Sequence, residues 1–341
     1  MRLETIMNEK NHGETLPTRL MAVRRGRFMV AGKDVTMPLL LFLVVLALAL
    51  IATPLTNGVF FTANNLTNLM RQMTITGLLS LGMLFVILTG GIDLSVGSIV
   101  GFAAIIAAGA TVRWGFPVWV SFLIGIITGA CWGLISGSLV AWFHLAPFVV
   151  TLAMMTFIRG LTYVYSEIAI STRSIQSFTA LGSAVVLGIP VSTMIMAVFF
   201  ILGAVFLNRT PLGRSTIAIG GNPETVRLAG ISVVKGIITA YVISGICSGV
   251  GGVLLASRLG NIQPSLGGSY ELDPIAACVI GGANLAGGKG TVQGAVMGVL
   301  ILAVMNNLLS LRNVEPYWQW VLKGVIILVV VLLHARSQKR G

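Results

Sequence analysis

Continuous apolar runs separated by short polar stretches dominate this chain. Leu39 to Ile51 and Val325 to Leu333 contain no charged or polar residue. Strands of a membrane barrel alternate apolar and polar positions; these runs do not alternate. A bilayer offers the backbone no water, so continuous apolar segments that span it must be helices. The pattern predicts spans at about 37–55, 68–90, 95–112, 117–142, 147–166, 190–207, 236–257, 273–286, 291–311 and 318–334. The predicted fold is an all-α polytopic membrane bundle of about ten transmembrane helices.

Composition supports that reading. Of 341 residues, 56% are hydrophobic and 9% charged, and the mean hydropathy is +0.95. Soluble domains are about a quarter charged, and no soluble fold of this length hides so much apolar surface. Ten spans of about 20 residues leave no room for a second domain. The expected organisation is a basic cytoplasmic tail at 1–36, a transmembrane domain at 37–335 with a polar cytoplasmic loop at 209–235, and a basic tail at 336–341. The first apolar run has no small-residue cleavage signature, so a removed signal peptide is not expected.

The net charge of +12 does not point to nucleic acid, because the basic residues sit in loops and tails. With the N-terminus inside, the inner set is Arg2, Lys10, Arg19, Arg24, Arg25, Arg27, Lys33, Arg209, Arg214, Arg227, Lys235, Lys289, Arg336, Lys339 and Arg340. The outer set is Arg113, Arg173, Arg258 and Arg312. This bias predicts cytoplasmic N- and C-termini. Arg71, Arg159 and Lys323 fall within or near spans; the two arginines are candidate partners for acidic groups.

Two glycine-rich segments interrupt the pattern. Gly90-Gly91-Ile92-Asp93-Leu94-Ser95-Val96-Gly97 and Gly281-Gly282-Ala283-Asn284-Leu285-Ala286-Gly287-Gly288-Lys289-Gly290 each begin with a paired glycine, one residue, Asp or Asn, then Leu. They are either a chance likeness or an internal repeat of the kind that carries broken helices in transporters. Glycines also recur at i, i+4 spacing: Gly125, Gly129, Gly133, Gly137; Gly245, Gly249; and Gly290, Gly294, Gly298. That spacing predicts close helix packing.

Catalytic chemistry is not visible. Gly288-Lys289-Gly290-Thr291 departs from the phosphate-loop pattern at two required positions. The histidines His12, His144 and His334 are scattered, so no metal site is expected. Cys131, Cys247 and Cys278 lie in apolar runs and read as packing residues. The expectation is a chain that is not an enzyme and holds no cofactor. More informative is the polar loop after the sixth span, Gly220-Gly221-Asn222-Pro223-Glu224-Thr225-Val226-Arg227-Leu228-Ala229-Gly230. Asn222 suits an N-cap, Pro223 the first helical position, Glu224 the positive dipole end and Gly230 the close. This predicts a short helix outside the membrane.

The stretch Leu212 to Gly230 resembles the cytoplasmic coupling loop of the ribose- and galactose-type ABC sugar permeases, the carbohydrate uptake class 2 importers that depend on a binding protein. So do Ile87 to Ser98, Tyr270 to Gly282 and Leu285 to Gly290. The likeness spans about 40–335. Pro274 stands where the family more often has alanine. The resemblance implies a permease subunit in a bacterial inner membrane, paired with a second permease chain as homodimer or heterodimer. It further implies a cytoplasmic ATP-binding subunit, gripping the helix from Asn222 to Gly230, and a periplasmic sugar-binding protein. The substrate would be a monosaccharide, pentose or hexose. The rival is a secondary transporter needing no ATPase, for which the intramembrane ionisable groups are few.

Asp93 either lies at the pathway or its gate, or caps the third span. Glu271 and Asp273 are read as helix caps. Asn64, Asn68, Gln72, Thr89, Asn306 and Asn307 have the chemistry of a sugar path, and each could instead bond a neighbouring helix. The outer arginines Arg113, Arg173, Arg258 and Arg312 are candidates for docking the binding protein.

Overall fold

The computed structural model describes residues 29–30, 33–34, 36–315, 317–325 and 328. Most of the expected N-terminal tail, and all of 336–341, lie outside the described residues. Among those described, the helices in chain order are α1 (Thr36–Leu55), α2 (Ala63–Leu88), α3 (Val96–Val112), α4 (Val118–Phe143), α5 (Pro147–Tyr165), α6 (Gln176–Ser183), α7 (Val191–Arg209), α8 (Pro211–Gly221), α9 (Pro223–Leu228), α10 (Val233–Leu259), α11 (Leu272–Ile280) and α12 (Val292–Leu311). Residues 317–325 are also helical.

Six of these, α2, α4, α5, α7, α10 and α12, are long and apolar enough to cross a membrane. The all-α membrane bundle therefore holds. The eighth predicted span does not: over 273–286 the helix ends at Ile280. At about 1.5 Å per residue, α11 covers less than half of a hydrocarbon core about 30 Å thick. Hydropathy extended the span because the glycine-rich segment that follows is apolar, while Gly282, at φ +87°, turns the chain out of the helix. Pro274 falls within the first turn of α11, where the missing N–H costs no helical bond.

The predicted glycine ladders are interlocked. On α4, Gly129 lies against Gly245 and Gly249 of α10, and Gly133 against Tyr241 and Gly245. A Cβ on Gly129 would stand 2.8 Å from the Gly249 Cα, so the two backbones touch. On α12, Gly294 and Gly298 receive the Gly281 and Ala277 carbonyls from α11 and its end. Lipid gives helices no hydrophobic drive to associate, and close backbone packing supplies the attraction instead. The buried core gathers on α2, α3 and α10, where α3 is buried along nearly its whole length.

Polar clasps join helices inside this packing. Asn65 of α2 and Asn307 of α12 exchange amide hydrogen bonds, each 2.9 Å, in a buried pair. Asn65→Leu is expected to cost about 1 kcal/mol, the usual scale for a hydrogen bond between membrane helices. A thermal midpoint in lipid nanodiscs equal to the wild type would contradict that.

Candidate functional site

The polar loop after α7 folds as two helices. Thr210 caps α8 by accepting the Gly213 N–H at 3.0 Å, with Pro211 at the first helical position. Asn222 caps α9 in the same way, accepting the Thr225 N–H at 3.1 Å, with Pro223 next. The sequence reading found the second signature and missed the first, although Thr210-Pro211 carries the same chemistry. In α9, Arg227 grips both oxygens of Glu224, at 2.6 and 3.0 Å. That guanidinium holds the Glu224 carboxyl below its ordinary range. The pair therefore persists until the pH falls through that lowered value.

α9 stands away from the bundle. Val226 alone of its residues is buried, while Leu228 is 78% exposed and Ile231, just beyond, 45%. Gly230, at φ +76°, turns the chain back toward α10. A rigid, capped helix thus presents two apolar side chains beside an ion pair, on a segment too polar to lie in lipid.

Two irregular segments enter the bundle. The first runs from Thr89 to Ser95. Thr89 caps α2 by donating to the Val86 carbonyl at 2.7 Å, which accounts for its hydroxyl. Asp93 is fully buried. It accepts the Ser95 N–H at 3.0 Å, the Ser95 hydroxyl, and the Ser244 hydroxyl of α10 at 2.9 Å. Ser244 lies eleven residues into α10, about 16 Å along it, so Asp93 sits deep in the bundle. Its bonds fix the turn into Ser95, the residue before α3, and tie that turn to α10.

The second irregular segment, 260–271, enters from the opposite end. Gly267 lies against Gly97, and the Leu266 carbonyl against Gly101, both on α3. Arg159 of α5 donates to the Ser265 and Leu266 carbonyls at 3.3 and 2.8 Å. Irregular backbone at such depth is tolerated where protein buries it or a cavity wets it. From there α11 continues toward the end of the bundle where α8 lies, and Asp273 at its start forms an ion pair with Lys323 at 2.8 Å. Arg71, like Arg159, bonds a backbone carbonyl, that of Ser183 at 2.9 Å.

Above this second segment lies a cavity of about 440 Å³, lined by Arg173, Asn261, Gln263, Ser265, Gly268 and Tyr270 among others. It sits at the end of α10 remote from α9. Arg173, one of the predicted outer arginines, lines it; the amide, hydroxyl and aromatic groups there were not singled out in the sequence, because they lie in a loop rather than a span. Asn64, Asn68 and Gln72 form an exposed stripe at i, i+4 spacing on α2. Asn307 is taken up by its bond to Asn65, and the Asn306 side-chain oxygen is buried without a partner. Among the other outer arginines, Arg113 bonds the Tyr165 carbonyl and the Ser166 hydroxyl, at 2.9 and 2.7 Å. Arg312 bonds the Leu55 carbonyl at 3.1 Å. Arg258 is exposed next to α6, whose Gly182 packs on it. No group of three or more metal-ligating side chains occurs among the described residues.

The two matched glycine segments lie against each other. The Gly288 N–H donates to the Leu88 carbonyl at 3.0 Å, and Gly90 faces the Ala286 carbonyl. Gly220, near the end of α8, packs on the Leu88 carbonyl and on Gly287 and Gly288.

Comparison with known proteins identifies this architecture. The family model described as branched-chain amino acid transport system / permease component matches residues 65–331. The ribose import permease protein RbsC of Bacillus subtilis is 42% identical over 296 residues, covering 86% of this chain and 91% of that protein. RbsC of Escherichia coli K12 is 39% identical, covering 82% and 88%. The xylose transport system permease protein XylH of Haemophilus influenzae is 35% identical, covering 84% and 92%. No solved structure matches. The extent of these alignments, over a bundle of apolar helices, shows that the chain belongs to this family of transport-system permease components, as a multi-pass inner-membrane ABC permease of the carbohydrate class and a transport subunit rather than an enzyme.

Proposed function

We propose that this chain forms the membrane path through which an ATP-driven importer brings a monosaccharide, a pentose or hexose, into the cell. In this reading residues 37–335 cross the membrane ten times with both ends in the cytoplasm, α11 supplying the inner half of its crossing and the buried segment 260–271 the rest. The tails at 1–36 and 336–341 are cytoplasmic. Two copies, or this chain and a related one, enclose the path.

The observation that carries the reading is α9. It is capped, stiffened by its ion pair and exposed on nearly every side, with Leu228 and Ile231 bare. Gly220 to Gly230 form the connector that a cytoplasmic ATPase subunit grips. A motor can shift the permease between states only if it binds them differently, and a rigid helix conveys that difference better than a loose loop. On the far side, the cavity beside Arg173 and Tyr270 receives sugar from a periplasmic binding protein. Arg173 and Arg258 are the arginines most suited to steer that protein, since Arg113 and Arg312 already hold carbonyls. Asn64, Asn68 and Gln72 continue the polar path along α2, and Asn306 adds an uncommitted oxygen. Asp93 acts as the anchor that fixes the first break.

Two measurements test this reading. Thr225→Cys is expected to react with an impermeant maleimide only in inside-out vesicles. Sugar uptake into vesicles is expected to require the ATPase partner and ATP. Labelling of Thr225→Cys from the periplasmic side, or uptake without the ATPase, would overturn it.

A further inference from the structure

The coupling loop meets the break after α2 and the glycine-rich segment 281–291 after α11 at one point, and it does so through backbone alone. Gly220, in the last turn of α8, lies against the Leu88 carbonyl, where α2 ends, and against Gly287 and the Gly288 amide, in the segment that follows α11. Gly287 in turn faces both Gly220 and Gly90; a Cβ there would stand 2.9 Å from the Gly220 Cα and 2.9 Å from the Gly90 N. The Gly288 N–H to Leu88 carbonyl bond closes the group. Three chain segments far apart in sequence thus meet with no side chain between them. Only Asn222 separates α8 from α9.

We propose that Gly220, Gly287 and Gly90 are positioning residues for transport: they form the joint by which displacement of α9 reaches both breaks at once. The inference rests on α9 being the ATPase contact. Where side chains intervene, rotamer changes absorb small displacements. Backbone pressed on backbone has no such slack, so a shift of α8 moves the Thr89–Ser95 segment and the 281–291 segment together. The first carries Asp93 and its bonds to Ser95 and Ser244. The second leads through α11 to the Gly267–Gly97 contact beneath the outer cavity. Coupling between distant sites requires a contiguous physical element that both sites bias, and this joint is continuous from α9 to each break.

The test uses the complete complex of permease, ATPase and binding protein in nanodiscs or liposomes. Gly220→Ala places a methyl group inside the contact shells of the Leu88 carbonyl and the Gly288 amide. It is expected to leave ATPase subunits bound and hydrolysing while sugar moved per ATP falls at least tenfold. Gly160→Ala on α5, whose new Cβ meets nothing within 4 Å and which lies outside the coupling loop, is expected to keep the wild-type ratio. In the wild-type complex, hydrogen exchange should change together in peptides covering 86–93 and 284–291 when vanadate traps the ATPase. Wild-type transport per ATP in Gly220→Ala overturns the joint. So does trapping that alters exchange in α9 while leaving either peptide unchanged, and this measurement decides the matter if Gly220→Ala does not fold. A wild-type permease that never binds the ATPase would instead remove the coupling reading beneath it.

Discussion

Lys323→Met is expected to lower the stability of the purified permease by about 2–3 kcal/mol, less than the roughly 3–5 kcal/mol of orphaning one partner of a deeply buried ion pair because this pair is only partly buried, and to abolish transport. Lys323 and Asp273 are 14% and 18% exposed as side chains and 2.8 Å apart, and they join the helix at 317–325 to the start of α11. A lone charge at the centre of a membrane helix costs about 2.5–3.5 kcal/mol, so an orphaned Asp273 would draw water inward or pull α11 out of place. Removing both charges, in Lys323→Met with Asp273→Asn, is expected to restore most of the loss. Thermal midpoints of the single and double variants, measured in the same lipid, check this. A double variant no more stable than Lys323→Met would mean that the pair is incidental. The two charges were visible in the sequence, but their pairing was not, because fifty positions separate them along the chain. Glu271 and Asp273 had been read alike as helix caps; only the fold gives Asp273 a lysine.

The second large effect is expected at the seam between α4 and α10. Gly133→Leu should prevent assembly of a stable bundle, at a cost above ~3 kcal/mol, the upper end of ordinary overpacking. A Cβ at Gly133 would fall against the Tyr241 carbonyl and 3.1 Å from the Gly245 Cα. Backbone atoms in an opposing helix cannot turn aside as a side chain can, so the two helices would have to separate along their length. Gly160→Leu on α5 is the control, since a Cβ there meets nothing within 4 Å. Size-exclusion profiles and membrane yield distinguish the two. A monodisperse Gly133→Leu protein at wild-type yield would show that the seam tolerates separation.

Both effects depend on contacts between segments remote in sequence, and this marks what could be read early and what could not. The apolar runs announced helices in a membrane, since no other structure satisfies the backbone there. The cap at Asn222 announced α9 from four neighbouring residues. The i, i+4 glycines announced close packing, though not which ladder met which. α8 carried the same cap signature at Thr210 and was overlooked. α6 left no comparable signal: its eight residues bury Phe178 and Gly182 against α10 and its surroundings.

The candidate site divides in the same way. Asn64, Asn68 and Gln72 could be placed on one face by helical period alone. That Asp93 would be bound from α10 could not be read along the chain, because its partner, the Ser244 hydroxyl, lies 151 positions away. The nine-residue length of α11 was hidden by the hydropathy of the glycines after it, which average with their neighbours as if the helix continued.

The solvent, the helical class and the local stops and starts were legible along the chain, since each depends on composition or on residues within one turn of each other. Where the helices break, which charges neutralise one another, and that Gly220, Gly287 and Gly90 meet became visible only in the folded chain. Those outcomes follow from packing free energy summed over distant segments, and no local pattern encodes which backbone will come to lie against which.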